Sequence, residues 1–124
     1  MPKIELILYK GEDNTVPFIN WLRNLTPKPR DKCIIKIERL RDHGHELRRP
    51  EADYLRDGIY ELRVRFGTVN YRMLYFFYGT AAVVVSHGVI KEDKIPPVDI
   101  DKAVARKRRF EANPQLHAFP WENE

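Results

Sequence analysis

Ile59-Tyr60-Glu61-Leu62-Arg63-Val64-Arg65-Phe66 reads with a period of two. Tyr60, Leu62, Val64 and Phe66 fall on one side, and Glu61, Arg63 and Arg65 on the other, as successive side chains of a strand do. Gly67-Thr68 is a turn, and Asn70 to Tyr78 returns as a second strand. Gly79-Thr80 turns the chain again, and Ala81 to Ile90 makes a third. Strands this close in sequence, joined by short turns, form an antiparallel meander.

Upstream of Leu55 the period is helical. Phe18, Trp21, Leu22 and Leu25 are spaced by three and four residues behind Pro17. Thr26-Pro27 marks the start of another helix, with Thr as cap and Pro in its first turn. That helix is expected from about Pro29 to His43, with Cys33, Ile34, Ile37 and Leu40 as its apolar stripe and Gly44 as its stop. Two helices this close make a helical hairpin. Before them, Lys3 to Lys10 alternates Ile4, Leu6 and Leu8 with Glu5 and Ile7, a first strand closed by a turn at Gly11 to Asn14. After Pro96-Pro97, Asp99 to Asn113 carries Ile100, Ala103, Val104 and Phe110 on one side of a helix that is otherwise strongly basic. A tail follows from Pro114, with Leu116, Phe119 and Trp121. The expected fold class is α+β, in the order β-α-α-β-β-β-α. The helices pack on one face of a twisted antiparallel sheet and leave the other face open.

The 124 residues fit one domain, 1–124, with 114–124 as a C-terminal tail. Hydrophobic residues make up 43% of the chain, enough for a core at this size. Lys and Arg number 22 against 18 Asp and Glu, a formal charge of +4, which suits a polyanion partner without demanding one. The single cysteine, Cys33, excludes an intramolecular disulfide and reads as a small buried hydrophobe beside Ile34, Ile35 and Ile37. The opening Met1-Pro2-Lys3-Ile4-Glu5 lacks the apolar run of a signal peptide, and the stretch Ala81 to Val85 is too short to span a bilayer. A soluble, cytoplasmic protein without membrane contact is the expectation.

The histidines show no metal-ligand spacing, and neither a glycine-rich phosphate loop nor a Ser-His-Asp pattern stands out, so neither metal nor cofactor is expected. What remains is positive charge on the sheet. Glu61, Arg63 and Arg65 share a strand face, Arg72 lies on the next strand, and Lys91 and Lys94 follow the last one. Two readings stand side by side: a solvated strand face, or a phosphate-binding cleft in which guanidinium groups make bidentate bonds to phosphate oxygens. His87 reads either as a strand-end histidine satisfied by hydrogen bonds or as a general acid or base. Tyr54, Tyr60, Tyr71, Tyr75 and Tyr78 read either as strand packing or as surfaces for stacked bases.

Leu55-Arg56-Asp57-Gly58-Ile59-Tyr60-Glu61-Leu62-Arg63, followed by Tyr71-Arg72-Met73-Leu74-Tyr75-Phe76-Phe77, resembles the HigB-like, phage-derived branch of the RelE/ParE toxins. The segment from Ser86-His87-Gly88 to Lys91 and Lys94 matches the branch's His-Gly-Phe segment with two lysines. Val89 stands in place of the usual Phe, and Glu92 in place of the second lysine of a pair. Ile100, Ala103 and Arg106 fit the helix that follows. The resemblance spans about Pro17 to Asn113. It implies a RelE-like toxin of a type II toxin-antitoxin pair, neutralised by a helix-turn-helix antitoxin protein and acting with the ribosome on mRNA.

Carried over position by position, the resemblance implies a metal-independent endoribonuclease site of Arg63, Arg65, Arg72 and Lys91, with Glu61 and Lys94 as RNA-binding positions. Arg72 and Arg65 would stabilise the phosphorane and Arg63 would position the backbone. Lys91 or Glu61 would move the proton, a choice the sequence leaves open. Glu61 stands where some relatives carry a basic residue. Two other readings remain: a ParE-like inhibitor of DNA gyrase that is not a nuclease, and an inactive prophage-derived relic that binds its antitoxin, which the Glu92 departure keeps open.

Overall fold

The computed structural model describes residues 4–91 and 93–121, so Lys3 and the Glu92 departure lie outside the described residues. The first strand, β1 (Glu5–Tyr9), is followed by α1 (Pro17–Arg23) and α2 (Pro27–His43). A 3-10 turn at Gly44–Glu46 leads to the strands β2 (Ala52–Arg56), β3 (Ile59–Phe66), β4 (Val69–Tyr78) and β5 (Ala82–Ile90). The chain ends in α3 (Pro97–Ala112), a short α4 (Pro114–His117) and a last strand, β6 (Ala118–Pro120). The expected meander is present as β3-β4-β5, and the helical hairpin precedes it. Thr26 flanks α2 with Pro27 in the first turn, although its hydroxyl makes no capping bond, and Gly44 closes the helix.

The sheet runs β2-β3-β4-β5-β1-β6. It is mixed, not purely antiparallel as expected, because β1 and β5 pair in parallel, Leu6 opposite Val83 and Leu8 opposite Val85. The reason is topological. After β1 the chain leaves the sheet through the helical hairpin and re-enters at the far edge in β2. Three hairpin reversals then return it beside β1 running the same way. A strand flanked on both sides is buried on both faces, and Leu6 to Tyr9 are all buried.

The helices also fail to keep to one face. The hairpin α1–α2 covers Leu62, Val64, Tyr71, Met73, Tyr75, Val83 and Val85 with Phe18, Leu22, Cys33, Ile37 and Leu40. On the opposite side α3 places Ala103, Val104 and Phe110 against Ile7, Ile59, Leu74, Phe76 and Val84. The face expected to be open is therefore covered along its middle. The physical cause is in β4 and β5. Met73 to Phe76 and Val83 to Val85 are apolar without alternation, so both faces need cover.

Two strands lie outside the expected order. Tyr54 and Tyr60 stand opposite each other in the β2–β3 hairpin, whose turn is Asp57-Gly58 with φ of 53° and 83°. A turn with both central residues at positive φ is the primed type that Asp-Gly favours. The tail folds back, with β6 antiparallel to β1 and the indole Nε1 of Trp121 donating to Glu38 Oε2 at 3.1 Å. Cys33 is fully buried and burial pushes its thiol up to about 12, as the sequence reading of a small core hydrophobe requires. No helix among the described residues is long and apolar enough to cross a membrane.

Candidate functional site

Strand parity puts Glu61 and Arg63 on the α3 side of β3, and the register places Arg72 directly opposite Arg63. Two like charges facing across a ladder repel. Glu61 resolves the conflict. Its Oε2 accepts from Arg63 Nη2 and its Oε1 from Arg72 Nη1, both at 2.9 Å. Glu61 is only 3% exposed, and the two guanidinium groups that bracket it give each of its oxygens a partner.

Asp53 extends the array from β2, where it stands opposite Glu61. Its Oδ2 accepts from Arg63 Nη2 at 3.2 Å and from Arg49 Nε at 3.0 Å. The bond from Arg49 holds the Asp53 carboxyl below its ordinary range, against the opposing effect of burial. Three arginines and two carboxylates thus alternate along the β2–β3–β4 end of the sheet. The Nε atoms of Arg63 and Arg72 are buried and have no partner among the described residues. The array forms the floor of a cleft of about 350 Å³, whose far wall holds Lys94, Ile95 and Ile100 ahead of and on α3.

Of the residues singled out from sequence, the fold gathers Glu61, Arg63, Arg72 and Lys94 in this cleft. Lys91 and Arg65 are not among its walls. Lys91 is exposed just beyond β5, its backbone N–H on Asn70. Arg65 donates its Nε to the Gly67 carbonyl and lines a separate groove with Lys32, Ile35 and Lys36 of α2. Arg72 is not the exposed strand arginine that a solvated face would hold, since its side chain is 15% exposed and engaged with Glu61. Asp53 escaped the sequence reading because β2 was not recognised. The Asp57-Gly58 turn was the available signal for the hairpin, but it pairs Arg56 with Ile59, and only a register shift between Tyr54 and Arg56 brings Asp53 opposite Glu61.

His87 belongs to a different network. The register of β4 and β5 slips between Leu74 and Tyr75, which leaves Ser86 as an extra residue and a bulge. Ser86 and His87 both meet α3: the Ser86 hydroxyl lies 2.7 Å from His87 Nδ1, Asp99 Oδ1 lies 3.3 Å from Nε2, and Arg106 reaches the Ser86 hydroxyl at 3.4 Å. Burial, helped by the Arg106 charge, pushes the His87 imidazole down to about 4, so it is neutral at neutral pH. It is the satisfied, buried histidine of the structural reading, with neither ring nitrogen free.

No curated protein matches the chain. The family described as "Phage derived protein Gp49-like (DUF891)" matches residues 20–108, a span that runs from α1 into α3 and holds every residue of the Glu61 cleft. A match over most of the chain, together with an α+β fold of mixed sheet and flanking helices consistent with a RelE-like fold, places it: the chain belongs to the Gp49-like family of phage-derived proteins, a toxin-like family of the RelE type.

Proposed function

We propose that the protein is the toxin of a type II toxin-antitoxin pair and that it cuts mRNA on translating ribosomes without a metal. The observation that carries this reading is the Glu61 carboxylate held between Arg63 and Arg72 at the floor of an open cleft. In-line cleavage of RNA by its own 2′-hydroxyl needs a group to take that proton and fixed positive charge where the phosphorane forms. A carboxylate flanked by two guanidinium groups supplies both. Glu61 is the base and Arg72, opposite it, the phosphorane clamp. Arg63 holds Glu61 in place through its second carboxylate, Asp53. The leaving 5′-oxygen takes its proton from the ammonium of Lys94, which lines the same cleft.

The same pairing predicts weak ground-state binding, because a phosphate has to compete with Glu61 for Arg72. Charge that gathers only in the transition state competes better, which is the condition for acceleration. In this reading the antitoxin is a helix-turn-helix protein, the site of action is the cytoplasm, and the HigB-like branch is a functional comparison. Family membership supports the toxin assignment, and the cleft supports RNA chemistry over a purely binding role.

The test is expression without an antitoxin, followed by primer extension on translated messages. Growth arrest with cuts in mRNA, both relieved by Glu61→Gln, is the expected result. Arrest with intact mRNA and altered DNA supercoiling would establish gyrase inhibition instead. Normal growth would establish an inactive relic.

A further inference from the structure

A second cleft opens at the same end of the sheet but on the face that carries α2. It measures about 670 Å³, within the roughly 300–1,000 Å³ usual for ligand clefts. Its wall is a run of aromatic rings. Tyr60 on β3 is stacked on Tyr75 of β4, with centroids 5.4 Å apart and planes 17° off parallel. Tyr54 of β2 stands edge-on to Tyr60 at 5.1 Å, and Phe77 stands edge-on to it at 5.3 Å. His45, in the 3-10 turn, lies flat on Phe77 at 3.8 Å. The run is not a closed core. Tyr54 is 53% exposed and His45 is exposed.

Arg48 stands at the rim. Its Nη1 donates to the carbonyls of His45 at 2.8 Å and Leu47 at 3.3 Å, and among the described residues it makes no ion pair with a carboxylate. A guanidinium fixed by backbone carbonyls keeps its full positive charge and its remaining N–H groups for a ligand. Asp53, the acid that lines the same cleft, already accepts from Arg49 and Arg63.

We propose that this cleft binds one unpaired nucleotide of single-stranded RNA, the base stacked against the Tyr54–Tyr60 wall and its phosphate on Arg48. The exposed ring of Tyr54, beside a guanidinium bonded only to carbonyls among the described residues, matches the two parts of a nucleotide. A duplex hides its base faces in the stack, so only an unpaired base fits. Asp53 borders both clefts, so a strand held here crosses the β2 edge toward the Glu61 cleft. The choice of RNA rests on the function proposed above; the stacking site itself does not.

The test is fluorescence anisotropy with a labelled hexauridylate and an abasic oligomer of the same length and charge. Wild type should bind the base-bearing oligomer at least tenfold more tightly. Tyr54→Leu, which keeps apolar bulk and loses the ring, should weaken hexauridylate about five- to hundred-fold, the range expected for one stacked base. Tyr54→Phe should retain binding, although it loses the hydroxyl that accepts from the Gly58 N–H. Arg48→Gln should weaken both oligomers and flatten the salt dependence. Equal affinity for the two oligomers overturns the proposal. So does wild-type binding by both Tyr54→Leu and Arg48→Gln, the pattern of a cleft that takes a protein side chain. Arg72→Gln separates the two readings: it should lose cleavage and keep base-dependent binding. Base-dependent binding at Tyr54 by a protein that never cuts RNA would end the nuclease reading and leave this one standing.

Discussion

Two clefts lie back to back at one end of the sheet, and they treat positive charge in opposite ways. On the α3 side Arg63 and Arg72 are bonded to a carboxylate that is itself buried. On the α2 side Arg48 is exposed and, among the described residues, bonded only to carbonyl oxygens. The first cleft is lined by guanidinium groups already paired with carboxylates. The second sets a guanidinium bonded to carbonyls beside the exposed Tyr54 and His45. A count of basic residues assigns polyanion binding to the wrong one, because a guanidinium in an ion pair has already met its anion. If both proposals hold, labour is divided: ground-state binding falls to Arg48, and transition-state stabilisation to the pair around Glu61.

The largest effect that would break this comparison is on stability. Glu61→Ala leaves Arg63 and Arg72 facing each other in a confined cleft. Removing one partner of a buried pair costs about 3–5 kcal/mol. A urea melt should show a loss of this order for Glu61→Ala, and a change within about 0.5 kcal/mol for Arg48→Ala on the other side. Equal melts would mean that the α3 cleft is as solvated as its neighbour.

Next comes catalysis. Arg72→Ala should slow cleavage by a hundred- to thousand-fold, about 2.7–4 kcal/mol of transition-state stabilisation, as read by single-turnover cutting of a ribosome-bound message. Because Arg72 is mostly buried against Glu61, the same variant should also lower the thermal midpoint, and the rate is to be compared below that midpoint. Full activity in Arg72→Ala would remove the centre of the proposed site.

The α3 side also carries a pH signature. The folded-state pKa of His87 is depressed, to about 4 from an ordinary 6.5. The folded state therefore binds fewer protons than the unfolded one. The stability this confers is fully present above about pH 6.5 and is lost as pH falls toward 4. Asp99, Arg106, Lys102 and Ser86 are the groups that face or bias the ring. Between pH 7 and pH 4.5 the loss should be roughly 2–3 kcal/mol. His87→Asn should flatten that part of the profile in urea melts, and an unchanged profile would place the titration elsewhere.

The smallest effect sharpens the contrast. Arg48→Ala should reduce the slope of log affinity against log salt for single-stranded RNA by about 0.7, one phosphate contact's worth. A substitution at Arg63 should leave that slope unchanged, since its charge is already taken by Glu61 and Asp53.

The period-two run from Ile59 and its turns determined the meander, and the spacing of apolar residues determined α1, α2 and α3. These are local properties, and alternation, turn residues and helical spacing express them directly. Parity alone put Glu61 and Arg63 on one face, and the hairpin brought Arg72 beside them. Only the tertiary structure decided the rest. The parallel pairing of β1 with β5 joins residues 77 positions apart by way of the whole intervening chain, and no local pattern encodes such a return. The placement of α3 on the second face followed from apolar runs in β4 and β5 that look the same whether a helix or a second sheet covers them. The fate of each arginine was decided by what came to lie within hydrogen-bonding distance of it: Glu61 and Asp53 for Arg63, a backbone carbonyl for Arg65, and two carbonyls for Arg48. Charge is a property of the residue, but neutralisation is a property of its neighbours, and the neighbours are chosen by the fold.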